Sequence, residues 1–93
     1  MVKGRKQVQP QFGIGRAFGS AMRTVRMGIH MSQMGLHVAT GLDRTFISDL
    51  ERGIQVPSLA TVFRVAEGLG VPAWSLVRDA QVSTYFRAPQ SPQ

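Results

Sequence analysis

From Phe18 onward, apolar side chains recur at helical spacing. Phe18, Met22 and Val25 stand at i, i+4 and i+7, which predicts a first helix from about Arg16 to Met27, stopped at Gly28. Ser32 suits the N-cap of a short second helix over 33–40 with Leu36 and Ala39 among its apolar members. Gly41 is expected to end it, because glycine accepts the left-handed backbone of a sharp turn between helices. Leu42 follows as an apolar plug and Asp43 as the next N-cap. The third helix then turns Ile47 and Leu50 inward, leaves Arg44, Thr45, Ser48 and Asp49 on other faces, and ends by Gly53. Pro57 and Ser58 open the most regular helix, in which Leu59, Val62, Phe63, Ala66 and Leu69 keep helical spacing up to Gly70. Pro72 opens a last short helix from Ala73 to about Val77, with Leu76 returning to the core. The expectation is an all-α domain over 16–79, preceded by an arm (1–15) and followed by a polar tail (80–93). In the tail Val82, Thr84 and Phe86 alternate as a strand pairing across a dimer does, but two prolines and high polarity favour disorder.

A chain of 93 residues fills one core only, and a core this small leaves a few kcal/mol of net stability, so oligomerisation would help it. Cysteine is absent, which removes disulfides, thiolate nucleophiles and Cys-based metal sites. No apolar run approaches the roughly 20 residues of a spanning helix, and the basic start Met1–Lys6 is not followed by the apolar stretch of a signal peptide. A soluble cytoplasmic protein with no membrane partner is therefore expected. Eleven Lys and Arg against five Asp and Glu give +6, which favours a polyanionic partner. Lys3, Arg5 and Lys6 carry half of that excess in a stretch without hydrophobic periodicity, as in a flexible basic arm that tracks phosphates.

Two short helices joined by about three residues, over Ser32 to Gly53, read as a helix-turn-helix, in which the first helix crosses the phosphate backbone and the second enters the major groove. The residues Phe18 to Arg26, Met31-Ser32-Gln33, Leu36, Gly41-Leu42-Asp43-Arg44-Thr45-Phe46-Ile47-Ser48, Leu50-Glu51-Arg52-Gly53 and Pro57-Ser58-Leu59 closely resemble the Cro/C1-type (XRE) DNA-binding domains, over about residues 16–77. The resemblance implies a compact, lambda-repressor-like five-helix bundle that binds double-stranded DNA as a homodimer, without a cofactor. The expected function is a transcriptional regulator, a repressor or controller reading a near-palindromic operator.

Carried over by position, the resemblance makes Arg44 a base reader whose guanidinium can pair with both acceptors of a guanine, and places Thr45 and Ser48 within reach of base edges. Asp49 is a weaker base-reading candidate, since an i, i+3 pair with Arg52 competes for it. Gln33 is expected to hold a phosphate and to brace the first side chain of the third helix. Arg52 and Gln55 are expected on phosphates after that helix, and Arg16 and Arg23 on phosphates from the first helix. Arg26 and Glu51 match a partly buried salt bridge with a structural role.

Three positions depart from the family pattern. His37 replaces a small residue, so either the helix pair opens or the imidazole caps a polar gap. Gly35 replaces the Glu of a capping box, which should leave the second helix soft. Trp74 is either an exposed partner surface or a ring folded over its own core. Gly13-Ile14-Gly15 with Gly19 lacks both the spacing and the preceding strand of a dinucleotide loop. His30, Met31, Met34 and His37 lack a supporting carboxylate, so no metal site is expected. With two histidines and no cysteine, no nucleophile, base and orienter set is evident, and an enzyme is not expected. The alternative class is an antitoxin-like protein-interaction module with secondary DNA binding. An RNA-binding adaptor is weaker still, because the aromatic residues fall in the core and offer no stacking platform.

Overall fold

The computed structural model of the chain describes residues 13–83 and 85. These form five helices: α1 (Ile14–Gly28), α2 (Gln33–Thr40), α3 (Arg44–Glu51), α4 (Leu59–Leu69) and α5 (Ala73–Gln81). Lys3, Arg5 and Lys6 lie outside the described residues, as do Thr84 and Phe86.

Local chemistry explains most helix ends. Ser32 Oγ accepts the Gly35 N–H (2.9 Å), Asp43 Oδ2 accepts the Thr45 N–H (3.1 Å) and Ser58 Oγ accepts the Thr61 N–H (3.1 Å). Each bond satisfies an orphan donor of a first turn and contributes about 1 kcal/mol. At the other end of α2, Gly41 adopts φ 76°, and its N–H donates to the His37 carbonyl (2.8 Å), so the chain reverses within three residues. α1 ends differently: His30, not a glycine, takes the left-handed conformation (φ 60°). The Met31 N–H donates to the Arg26 carbonyl and the His30 N–H to the Met27 carbonyl, both at 3.0 Å, as in a Schellman ending.

The core gathers Phe18 and Met22 from α1, Leu36 from α2, Ile47 and Leu50 from α3, Val62, Val65, Ala66 and Leu69 from α4, and Leu76 from α5. α1 packs against α3, α4 and α5, while α2 packs against α3 and α4. Three sequence expectations change. α1 begins at Ile14, so the last two residues of the expected arm are helical. α5 runs to Gln81 rather than Val77, and Val82 caps it. On α4, Leu59 and Phe63 are 69% and 60% exposed, whereas Val65, absent from the expected stripe, is fully buried. A helical period cannot separate two adjacent stripes of one apolar helix; packing against α2 and α5 selects the one through Val62, Val65, Ala66 and Leu69.

The glycines of α1 have a packing role. Gly15 and Gly19 lie one turn apart on its buried side, where a Cβ on Gly19 would collide with the Leu50 carbonyl oxygen and lie 2.8 Å from that of Glu51. Glycine at 19 thus lets the backbone of α3 rest directly on α1.

Candidate nucleic-acid interface

α2, the turn at 41–43 and α3 form a unit whose turn is closed by a chain of hydrogen bonds. The Thr40 hydroxyl donates to the Leu36 carbonyl (2.7 Å), Thr40 Oγ1 accepts the Leu42 N–H (3.0 Å), and the His37 Nδ1–H donates to the Leu42 carbonyl (2.7 Å). His37 therefore caps a carbonyl of the turn, which also fixes its tautomer. Ser32 forms one half of a capping box; Gly35 has no side chain to return the second bond.

The C-terminal end of α3 is held by a buried ionic hub. Arg26 Nε lies 2.6 Å from Glu51 Oε2 and Arg26 Nη2 lies 2.9 Å from Glu51 Oε1, a bidentate pair in which the Glu51 side chain is only 3% exposed. Arg26 Nη1 donates to the Met31 carbonyl (2.7 Å), and Gln33 Nε2 donates to Glu51 Oε1 (3.0 Å). One guanidinium and one carboxylate thus tie together the ends of α1 and α3 and the start of α2. The hydrogen bonds that Arg26 donates to Glu51 raise its pKa above the ordinary value and outweigh the opposing effect of burial. Gln33 was expected to brace Arg44, but its amide turns inward because Glu51 offers a charged acceptor.

At its other end, α3 presents Arg44 and Thr45 exposed in its first turn, and half-buried Ser48 and Asp49 one turn on, along one face. Asp49 Oδ1 lies 3.8 Å from Arg52 Nη2, an i, i+3 ion pair that draws this carboxylate toward the helix end. Gln55 is exposed in the turn after α3.

Arg16 and Arg23, two turns apart on α1, line one cleft with Ser20, Glu51 and Arg52. Its remaining wall is Tyr85, which sequence reasoning missed. The Arg16 guanidinium lies 4.6 Å from the centre of the Tyr85 ring. No local signal marks this residue, since the surrounding alternation of Val82, Thr84 and Phe86 suggests a strand instead. Trp74 does not fold over the core: it is 64% exposed, with the Arg78 guanidinium 5.2 Å from its ring centre. Among the described residues no helix is long and apolar enough to cross a membrane.

A family model described as helix-turn-helix matches residues 22–73. Control protein C.BamHI of Bacillus amyloliquefaciens is 40% identical over 55 residues, covering 58% of this chain and 68% of that protein. The ImmF control region 10 kDa protein of Bacillus phage phi105 is 35% identical over 52 residues, covering 56% of this chain and 58% of the phage protein, less than two thirds of its length. Among solved structures, the restriction–modification controller protein C.AhdI of Aeromonas hydrophila superposes with a TM-score of 0.64 at 31% identity, covering 66% of this chain and 92% of that one. The match spans the whole unit that the Arg26–Glu51 hub holds together, and the chain belongs to the helix-turn-helix family of the Cro/C1 (XRE) type.

Proposed function

We propose that this chain is a sequence-specific DNA-binding transcriptional regulator, acting as a homodimeric repressor or controller at a near-palindromic operator. The observation that carries the reading is the exposure of Arg44 and Thr45 at the start of an α3 whose other end is fixed by Arg26, Glu51 and Gln33. A helix held in this way can enter a major groove without further ordering, and its first-turn arginine can pair with guanine O6 and N7. That pair discriminates between bases by about 1–3 kcal/mol.

Thr45, Ser48 and Asp49 complete the reading face. Arg52, Gln55, Arg16 and Arg23, with Lys3, Arg5 and Lys6 of the arm, supply phosphate contacts that are sequence-independent and fall off with salt, and Gln33 joins them only through the amide hydrogen not given to Glu51. The control proteins of phage and restriction–modification systems that this chain resembles support a role in gene control. Exposed Leu59 and Phe63 on α4, and Trp74 and Val77 on α5, support self-association. Two copies would read half-sites about 34 Å apart, one helical turn of DNA. A regulator of this kind would act in the cytoplasm, on the nucleoid.

The test is anisotropy-monitored binding to duplexes from the gene's own promoter region and to scrambled duplex across a salt series, for wild type and Arg44→Ala, with sedimentation to count protomers. The expected result is a promoter preference that the variant loses while keeping a steep salt slope. Equal, weak affinity of the wild type for every duplex would overturn the proposal and favour a protein-interaction module, with Trp74 as the first contact to examine.

A further inference from the structure

The cleft between α1, the end of α3 and Tyr85 gathers more positive charge than the fold neutralises. Of its charged lining residues, Glu51 is already committed to Arg26 and Gln33. Among the described residues Arg52 has only the long contact to Asp49, and Arg16 and Arg23 have no carboxylate within ion-pair distance. Three arginines and Ser20 therefore line one opening of about 320 Å³, room for a phosphate group with its waters, each of which takes about 30 Å³.

Arg16 is also fixed in place. Its stem lies against the turn after α3, where a Cβ on Gly53 would sit 2.9 to 3.0 Å from Arg16 Cδ, Cγ and Cα, and its guanidinium lies over the Tyr85 ring. Arg23 is steadied by a bond from Nε to Met27 Sδ (3.4 Å), which leaves its terminal nitrogens for another acceptor. An arginine held on an aromatic face keeps the outer edge of its planar fork open to an oxyanion.

We infer that Arg16, Ser20, Arg23 and Arg52 form a single phosphate-binding pocket, that its occupant is a backbone phosphate of the bound duplex, and that Tyr85 is a positioning residue that acts through Arg16. This rests on the DNA-binding reading above. It assigns Tyr85 a part in the interface: its ring orders Arg16, so it contributes affinity without contributing sequence preference.

The experiment measures duplex affinity for Arg16→Ala, Tyr85→Ala, Tyr85→Phe and the Arg16→Ala/Tyr85→Ala double variant, with melting temperature recorded for each. Arg16→Ala and Tyr85→Ala should each weaken promoter and scrambled duplexes by the same factor, about two- to fivefold. Tyr85→Ala should add nothing to Arg16→Ala, and Tyr85→Phe, which keeps the ring, should match wild type. Wild-type affinity in Tyr85→Ala overturns the inference. So does an undiminished effect of Tyr85→Ala in the Arg16→Ala background, or a Tyr85→Phe variant as weak as Tyr85→Ala.

If the wild type binds no duplex at all, the functional reading fails and so does the assignment of the occupant. The pocket itself is then judged by titrating inorganic phosphate while following the arginine Nε–H resonances. Joint movement of Arg16, Arg23 and Arg52 in wild type, lost in Tyr85→Ala, upholds a pocket for a free phosphate; static resonances end it.

Discussion

Gly19→Ala tests the close approach of α1 to α3. The added Cβ would collide with the Leu50 carbonyl oxygen and lie 2.8 Å from the Glu51 carbonyl oxygen and 3.0 Å from its carbon, where ordinary contact begins at 3.4 Å. The obstacles are backbone atoms of α3, so no rotamer change relieves them, and α3 must withdraw from α1 by more than about half an ångström. Overpacking of this kind costs about 1–3 kcal/mol, and a backbone obstacle puts the cost near the upper end. Alanine returns up to about 1 kcal/mol of helix propensity, which leaves a net loss of about 2 kcal/mol. For a domain of this size that is a melting temperature lower by roughly 8–16 °C, or a urea midpoint lower by about 1–2 M. Gly28→Ala is the control, because a Cβ there meets nothing within 4 Å and the propensity gain should appear alone. The assay is paired thermal and urea unfolding of the three proteins. Gly19→Ala melting at or above the wild-type temperature would refute the claim that glycine at 19 sets the seat of α3.

Arg26→Met should cost about 3–5 kcal/mol by stranding the Glu51 carboxylate, and adding Glu51→Leu should restore most of that loss; a double variant as unstable as the single one would show that the hub contributes more than charge neutralisation. His30→Gly should raise stability by a few tenths to about 1 kcal/mol, since a left-handed residue that closes a Schellman ending is best served by glycine, and a lower melting temperature in that variant would contradict the strain assigned here.

The helix starts at Ser32, Asp43 and Ser58 and the stops at Gly41 and Gly70 are legible in the sequence because a cap is a bond between neighbours, settled within one turn of chain. The same locality makes the outward faces of Arg44 and Thr45 readable, given inward Ile47 and Leu50. The close match of the residues around Gly41 to Gly53 likewise gives the pairing of Arg26 with Glu51. Other features depend on segments distant in the chain. Which of two apolar stripes α4 buries is decided by α2 and α5, and the use of Gly15 and Gly19 by the backbone that follows Leu50. Gln33 turns to Glu51 instead of Arg44 because a buried carboxylate 18 residues away accepts its amide. Tyr85 meets Arg16 from beyond the end of α5, a helix that packs against α1. Periodicity and capping thus determined the helices and the outward face of α3, which are matters of local bonding. The tertiary structure decided which surfaces meet and which charges stay uncompensated, because burial and pairing are fixed by whatever the fold brings opposite.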